Sequence, residues 1–188
     1  ELDEKVDVLV SEWMGHFLFY EAMLGPLLHV RDKFLKKGGV MIPNKVSLHA
    51  GLVIDDDNFE DLSFFRKSPY DIDYSPIGDV LFEQVSTDHY ISPKHLAEPL
   101  FDLGTLDLAS ISKPPEKLTG KLIAEKDATA YGICGWFGSQ VAEGIELATG
   151  PDDPCTDDND CLYHFDISTQ RRPTIAPLIC PQRVDTQL

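Results

Sequence analysis

Val6-Asp7-Val8-Leu9-Val10-Ser11-Glu12-Trp13-Met14-Gly15-His16-Phe17-Leu18-Phe19-Tyr20-Glu21 decides how this chain reads. The run Val6 to Val10 is β-branched and nearly continuous, which suits a strand buried on both faces of a parallel sheet. Ligands of open α/β sheets bind beyond the carboxyl ends of such strands, so Glu12 is expected to face a crevice. A second carboxylate, Glu21, follows nine positions later (21 − 12 = 9), across an aromatic stretch from Trp13 to Tyr20. If that stretch folds back on itself, both acids point into one apolar cleft and share one cation. The planar donor fork of a guanidinium matches such a pair best, through charge-assisted hydrogen bonds. Taken residue by residue, Glu12 also reads as an ordinary strand-end residue. Glu21 equally reads as an acid in the first turn of a helix, where the dipole favours it.

The whole string is similar to the signature of the protein arginine methyltransferase family. Its members carry Ser-Glu-Trp-Met-Gly-Tyr, three or four apolar or aromatic residues, then Glu-Ser/Ala-Met-Leu, the double-glutamate loop. Here Ser11-Glu12-Trp13-Met14-Gly15-His16 is followed by Glu21-Ala22-Met23-Leu24, with one departure at His16. The resemblance implies that Glu12 and Glu21 are the catalytic clamp on a substrate arginine and that Met23 lies near the methyl donor, S-adenosylmethionine. It also implies that Trp13, Met14, His16 and Tyr20 line the acceptor pocket, with Thr156 from a later loop. Arginine is protonated at any ordinary pH and its lone pairs are delocalised, so it is a poor nucleophile. Two carboxylates can localise the positive charge on the far nitrogens and aim the attacking one. Catalysis on that reading is mostly positioning and electrostatics, with one acid assisting proton departure.

Composition bounds the reading. The 188 residues carry 43% hydrophobic and 26% charged side chains and no apolar run of membrane-spanning length, the profile of a soluble globular protein without a membrane partner. The net charge of −16 disfavours direct nucleic-acid binding and favours basic partners such as arginine- and glycine-rich tails and histones. Solubility alone also accounts for an acidic surface. Cys134, Cys155, Cys161 and Cys180 show no Cys-x-x-Cys spacing, which argues against zinc or a disulfide framework. Reduced thiols, with no export signal in the first residues, lead to an expectation of cytoplasm or nucleus. His29 and His49 sit in amphipathic patterns and read as surface or core residues, so no metal is expected.

Further along, Leu27, Leu28, Val30, Phe34 and Leu35 recur at helical spacing from Pro26 and run into Lys36-Lys37-Gly38-Gly39, the expected punctuation of a helix end. After Pro43 the period becomes two: Val46, Leu48, Ala50, Leu52 and Ile54 alternate with Ser47, His49, Gly51 and Val53, as in a half-buried antiparallel strand. The domain boundary is therefore placed there. Asp55 to Asn58 can cap a short helix through Phe65. By resemblance, the aromatic segment 64–77 is an arm that reaches a second subunit, with Phe65, Tyr70, Ile72 and Tyr74 as contacts in a homodimer or heterodimer. Residue chemistry alone allows local core packing equally well. Strands are expected at Val80 to Phe82, Leu103 to Leu108, Leu122 to Ala124, Ala130 to Val141 and Cys161 to Phe165. Trp136 reads as core.

The likeness covers roughly residues 4–167 and, besides His16, departs from the family in three places. Where members read Thr-His-Trp, this chain has Thr156-Asp157-Asp158. The family's glycine-rich turn and ribose-binding acid lie on earlier strands, so most of the S-adenosylmethionine site is expected outside these residues. Ser168 to Leu188 is proline-rich and reads as lacking the strands that close a barrel. The expected architecture is α+β: residues 1–42 are the C-terminal edge of a Rossmann-like methyltransferase fold. Residues 43–188 are an antiparallel β-barrel, left incomplete, with a helical dimerisation arm at 64–77. The implied activity is arginine methylation; the alternative is a catalytically inactive partner subunit or protein-binding β-barrel module.

Overall fold

In the computed structural model, the described residues are 3–15, 17–83, 91–121, 125, 127–151 and 174–184. Strand β1 (Val6–Val10) forms at the β-branched run, and the loop after it leads into helix α1 (Leu24–Phe34). Leu24, Leu27 and Leu28 place an apolar stripe at i, i+3 and i+4, and all three are buried. The helix stops earlier than its punctuation suggests. Leu35 is already extended, at φ −80 and ψ 135, and begins β2 (Leu35–Ile42). Lys36 and Lys37 are thus strand residues, and the last helical turn takes its basic residues from Arg31 and Lys33.

The reason lies in the pairing of β2 with β1. The two strands run parallel with Val8 opposite Val40 and Val10 opposite Ile42, but Val6 is opposite Leu35. The extra residues of β2 are absorbed around Gly38, whose φ is +79, and Gly39, where a Cβ would lie 2.9 Å from the Asp7 carbonyl oxygen. The glycine pair is a bulge inside a strand, not a helix stop. Burial on both faces of this pair is not found either. Val10 is 69% exposed, and Val8 and Val40 are also open, because α1 and the following loop cover only the Leu9 and Met41 side.

A second sheet begins immediately after Pro43. Its strands are β3 (Lys45–Val53), β4 (Leu96–Asp107), β5 (Ala128–Ala142), β6 (Ile145–Ala148) and β7 (Thr174–Val184), ordered β4-β3-β5-β6 with β7 also on β5. All its pairings are antiparallel. Val46 and Leu48 of β3 and Phe137 of β5 point to one face and join Trp13, Met14, Leu18, Leu24, Leu27, Leu28, Met41 and Leu108 in the main core. Full burial of each such side chain stabilises by about 1.5–3 kcal/mol, so this contact fixes the loop and α1 against the sheet. The opposite face holds a smaller cluster of Val53, Ile91, Leu96, Cys134 and Trp136. Because that cluster covers one end of β3, the alternation fades there: Gly51 and Val53 are buried while Leu52 is only half-buried.

The insertion between β3 and β4 contains α2 (Asp56–Ser63), single 3-10 turns at Phe64–Arg66 and Pro69–Asp71, and α3 (Ser75–Glu83). Val80 to Phe82 is therefore helical rather than the expected strand. Local chemistry explains it: the Asp73 carboxylate accepts from the Ser75 N–H at 2.9 Å, and the Ile77 and Gly78 N–H groups donate to Tyr74. That start signal precedes Pro76 in the first turn. Ser168 to Leu188, which reads as lacking the strands that close a barrel, contains one strand, β7, which pairs with β5 from Ala128↔Val184 to Gly135↔Thr174. Pro181 falls inside the register shift between Ala130↔Gln182 and Gly132↔Pro177, and Pro177, which is paired, is tolerated because among the described residues β7 has only β5 as a neighbour. Leu122 to Ala124 and Cys161 to Phe165 lie outside the described residues.

Candidate functional site

The segment from Ser11 to Met23 is a folded-back loop. The Ser11 N–H donates to the Ile42 carbonyl at 3.0 Å and prolongs the β1 ladder by one step, which leaves Glu12 just past the strand end and exposed. Trp13 and Met14 then turn inward. Trp13 is 0% exposed and Met14 nearly so, both within the main core. Both are read from the sequence as lining an acceptor pocket; the structure buries them in the core beneath the loop, and the Trp13 indole N–H has no hydrogen-bond partner among the described residues. His16 lies outside the described residues.

The return of the loop is tight. The Phe17 carbonyl accepts from the N–H of Phe19 at 2.5 Å and of Tyr20 at 3.3 Å, and the Phe19 carbonyl accepts from Ala22 at 3.1 Å. Leu18 and Ala22 adopt φ of +44 and +55, a region that costs a non-glycine residue about 1–3 kcal/mol. Leu18 is buried, and burial offsets its strain by a similar amount. Ala22 is exposed and has no such compensation; its conformation directs the chain from Glu21 into Met23 and α1. The result is that the Glu21 carboxyl folds over Gly15. A Cβ on Gly15, whose φ is +50, would meet Glu21 Cδ and Oε1 at 2.8 Å. Glu21 is thereby held against the residue three positions beyond Glu12, and both glutamates are open to solvent. Tyr20 and Met23 are exposed at the same loop, Met23 as the residue preceding α1.

The four residues expected at a dimer arm divide into two kinds. Phe65 packs edge-on against Phe64 at 5.5 Å and Tyr74 at 6.2 Å, whereas Tyr70 is 87% and Ile72 51% exposed. The base of the insertion carries polar contacts that the sequence did not disclose. His95 Nδ1 lies 2.9 Å from Asp55 Oδ2, and the Ile54 N–H donates to the His95 carbonyl at 2.9 Å, so the two ends of the insertion are tied together. Tyr131 donates its hydroxyl to Asp56, which pushes the phenol above its ordinary value, and its ring stacks on Phe59 at 4.2 Å. Arg31 was also missed. A lone arginine in a helix gives no sign that it will bond to carbonyls almost 80 residues away.

On the face of the second sheet away from the loop, Lys45, Val46, Ser47, His49, Thr105, Gly138, Gln140 and Glu146 line a shallow groove of about 290 Å³. Ser47 Oγ and His49 Nε2 are 2.8 Å apart, but the nearest carboxylate, Asp102, is 4.0 Å from His49 Nδ1. That gap is too long for the hydrogen bond an orienting acid must make, so these residues do not form a hydrolytic relay. His49 stacks on the Trp136 ring at 6.0 Å, and Trp136 is buried as expected. Cys134 is buried, and burial pushes its thiol up to about 12, the opposite of a reactive nucleophile. No set of three His, Cys, Asp or Glu side chains able to hold a metal occurs among the described residues, nor does any helix there reach the length and apolarity needed to cross a membrane. Thr156 lies outside the described residues.

No protein-family model matches the chain. Saccharomyces cerevisiae protein arginine N-methyltransferase 1 is 32% identical over 189 residues, covering 94% of this chain and 53% of that protein. The Dictyostelium discoideum protein arginine N-methyltransferase 1 is 30% identical over 168 residues, covering 87% and 49%. The chain thus spans about half the length of these curated relatives. In three dimensions it superposes on a chain of the Trypanosoma brucei PRMT1 enzyme-prozyme heterotetrameric complex with AdoHcy. The TM-score is 0.75 at 24% identity, over 99% of this chain and 56% of the other, a likeness of fold.

Proposed function

Because the chain belongs to the protein arginine N-methyltransferase family, we propose that it serves methyl transfer from S-adenosylmethionine to the guanidinium of arginine in proteins, with Glu12 and Glu21 as the acceptor clamp. The observation that carries this reading is the return of the Ser11 to Met23 loop, which brings the Glu21 carboxyl over Gly15, close in sequence to Glu12, with both acids accessible. Two accessible carboxylates bind the planar cation, hold charge on its outer nitrogens and leave the third nitrogen to be aimed. One of them takes up the proton that the product nitrogen releases.

S-adenosylmethionine supplies an electrophilic methyl group on a sulfonium. These residues fit only a fraction of its site. Met23 is exposed at the start of α1, but Gly38 and Gly39 do not open a helix after a strand; they form a strand bulge. The nucleoside half of the donor site is therefore assigned to polypeptide beyond this chain's 188 residues. The open Val8, Val10 and Val40 face of the β1–β2 pair is where a continuing nucleotide-fold sheet and its helices pack.

On this reading residues 1–42 are the end of the nucleotide fold and residues 43–188 a β-barrel that carries substrate contacts, with Thr156 at the acceptor pocket. Segment 64–77 is the dimer arm, in which Tyr70 and Ile72 reach a partner while Phe65 and Tyr74 brace each other. The net charge of −16 suits arginine-rich substrates of the glycine–arginine type and histone tails. Cytoplasm or nucleus is the compartment such substrates imply.

Methylation of a glycine- and arginine-rich peptide by the full-length protein tests the assignment, with Glu12→Gln and Glu21→Gln as controls and calorimetry for S-adenosylmethionine. Loss of turnover in either variant is expected; near-normal turnover in both overturns the clamp. The enzyme–prozyme assembly of the structural neighbour, together with the Asp157-Asp158 departure, favours a second reading as a partner subunit without turnover of its own. That reading is distinguished by stimulation of an active methyltransferase that survives both glutamate substitutions.

A further inference from the structure

The Phe17 ring lies where the side chain of residue 135 would be. A Cβ built on Gly135 would sit 2.7 Å from Phe17 Cζ and 2.8 Å from Cε2, closer than any real Cβ contact. We propose that Gly135 is a positioning residue: the space above it in β5 is a socket for Phe17, and occupancy of that socket sets the register of the loop that carries Glu21. The consequence for Glu21 rests on the proposed methyltransferase function; the socket itself does not.

Phe17 is the pivot of the loop's return. Its carbonyl accepts from Phe19 and Tyr20, and Phe19 in turn holds Ala22, so a shift of the Phe17 backbone is passed through hydrogen bonds to both neighbours of Glu21. Gly15, two residues earlier, provides a complementary space filled by the Glu21 carboxyl. The loop is thus seated twice, by an aromatic ring against the sheet and by a carboxyl against its own backbone. In the interior of a strand glycine is a poor choice, weaker than alanine because of its chain entropy. Gly135 has Ala50 opposite it on β3 and Thr174 opposite it on β7, so it is flanked by strands on both sides. Alanine there favours the strand and displaces the ring. Simple packing and positioning therefore predict opposite signs.

Hydrogen exchange on the 188-residue chain separates them. In Gly135→Ala the amides of Phe19, Tyr20 and Ala22 should exchange at least about tenfold faster while the β3–β5 ladder keeps its protection. Adding Phe17→Leu, which withdraws the ring from the socket, should restore loop protection. Phe17→Ala in the native background should loosen the same amides with the sheet untouched. In the full-length protein, Gly135→Ala should lower kcat for an arginine peptide about tenfold with KM little changed, and Phe17→Leu should recover it. Unchanged loop exchange in Gly135→Ala, or equal loosening of loop and ladder, overturns the proposal. Faster loop exchange in a full-length protein with no methylation activity leaves the socket standing and sinks only its link to catalysis.

Discussion

Arg31 Nη1 lies 2.7 Å from the Leu108 carbonyl oxygen and 2.7 Å from that of Ile111, so one side chain of α1 satisfies two carbonyls in the turn that follows β4. The guanidinium also pairs with Asp32 at 2.7 Å, and it is only 10% exposed. Helix and sheet are held in one orientation by this bond as well as by the apolar core.

Replacing Arg31 by Met keeps the stem but strands both carbonyls and leaves Asp32 alone. Loss of charge-assisted bonds at a mostly buried site costs about 2–3 kcal/mol. Urea denaturation should show the midpoint lowered with little change in slope. A loss below about 0.5 kcal/mol would mean that the turn after β4 is held instead by the Ala109 N–H donating to Asp107 Oδ1 at 2.9 Å and the Ile111 N–H donating to the Asp107 carbonyl at 3.0 Å.

Gly15→Ala combines two penalties. The residue stands at φ +50, where a Cβ costs about 1–2 kcal/mol, and that Cβ would also strike the Glu21 carboxyl. Glu21 must then leave its seat. On the proposed clamp, the expected outcome is a modest fall in stability with loss of at least about 100-fold in kcat/KM for arginine methylation by the full-length protein, the scale of a misplaced reacting group. Gly15→Ala with normal turnover would show that the seat is irrelevant to the acceptor clamp.

Much of the fold was legible because its signals are local. The β-branched Val6 to Val10 run, the Leu27 and Leu28 positions of the helix and the alternation of Val46, Leu48 and Ala50 each report the contacts their own segment makes, although the helix itself begins earlier than Pro26, at Leu24. The misreadings arise where a distant partner overrides the local pattern. Lys36 to Gly39 looks like a helix end because basic residues and glycine commonly stand there, yet pairing with β1 converts the glycines into a bulge. Val80 to Phe82 looks like a strand, but Asp73 and Pro76 had already started a helix. At the site, the spacing of Glu12 and Glu21 was visible, whereas the inward turn of Trp13 and the socket at Gly135 depend on which strand lies beneath the loop. No pattern in one segment encodes that.

Cys134 gives a pH dependence with a definite sign. Burial raises its thiol from 9.0 to about 12 in the folded chain. The unfolded chain therefore loses this proton first. Between those values the folded state binds one more proton, so stability falls as pH rises, by at most about 1.4 kcal/mol per pH unit from this group. The contribution is complete below pH 9 and is lost progressively toward pH 12. Unfolding midpoints measured at pH 8, 9.5 and 10.5 in the native chain and in Cys134→Ala should diverge, with the variant losing less. Parallel curves would place the thiol in contact with solvent.

Tyr70 and Ile72 test the arm. A tyrosine 87% exposed beside an isoleucine 51% exposed contributes little to the fold of its own chain, so substituting both should leave thermal stability nearly unchanged. At a dimer contact the same side chains become buried anchors, and truncating a central aromatic commonly costs 2 kcal/mol or more of association energy. Tyr70→Ala with Ile72→Ser should therefore weaken self-association about 30-fold or more in sedimentation equilibrium of the full-length protein, and turnover should fall with it. Phe65→Ala behaves differently, because Phe65 packs on Phe64 and Tyr74 inside the arm and its loss should lower stability as well. If the Tyr70 and Ile72 pair leaves association intact while Phe65→Ala destabilises, the segment is an internally packed insertion and the partner is held elsewhere.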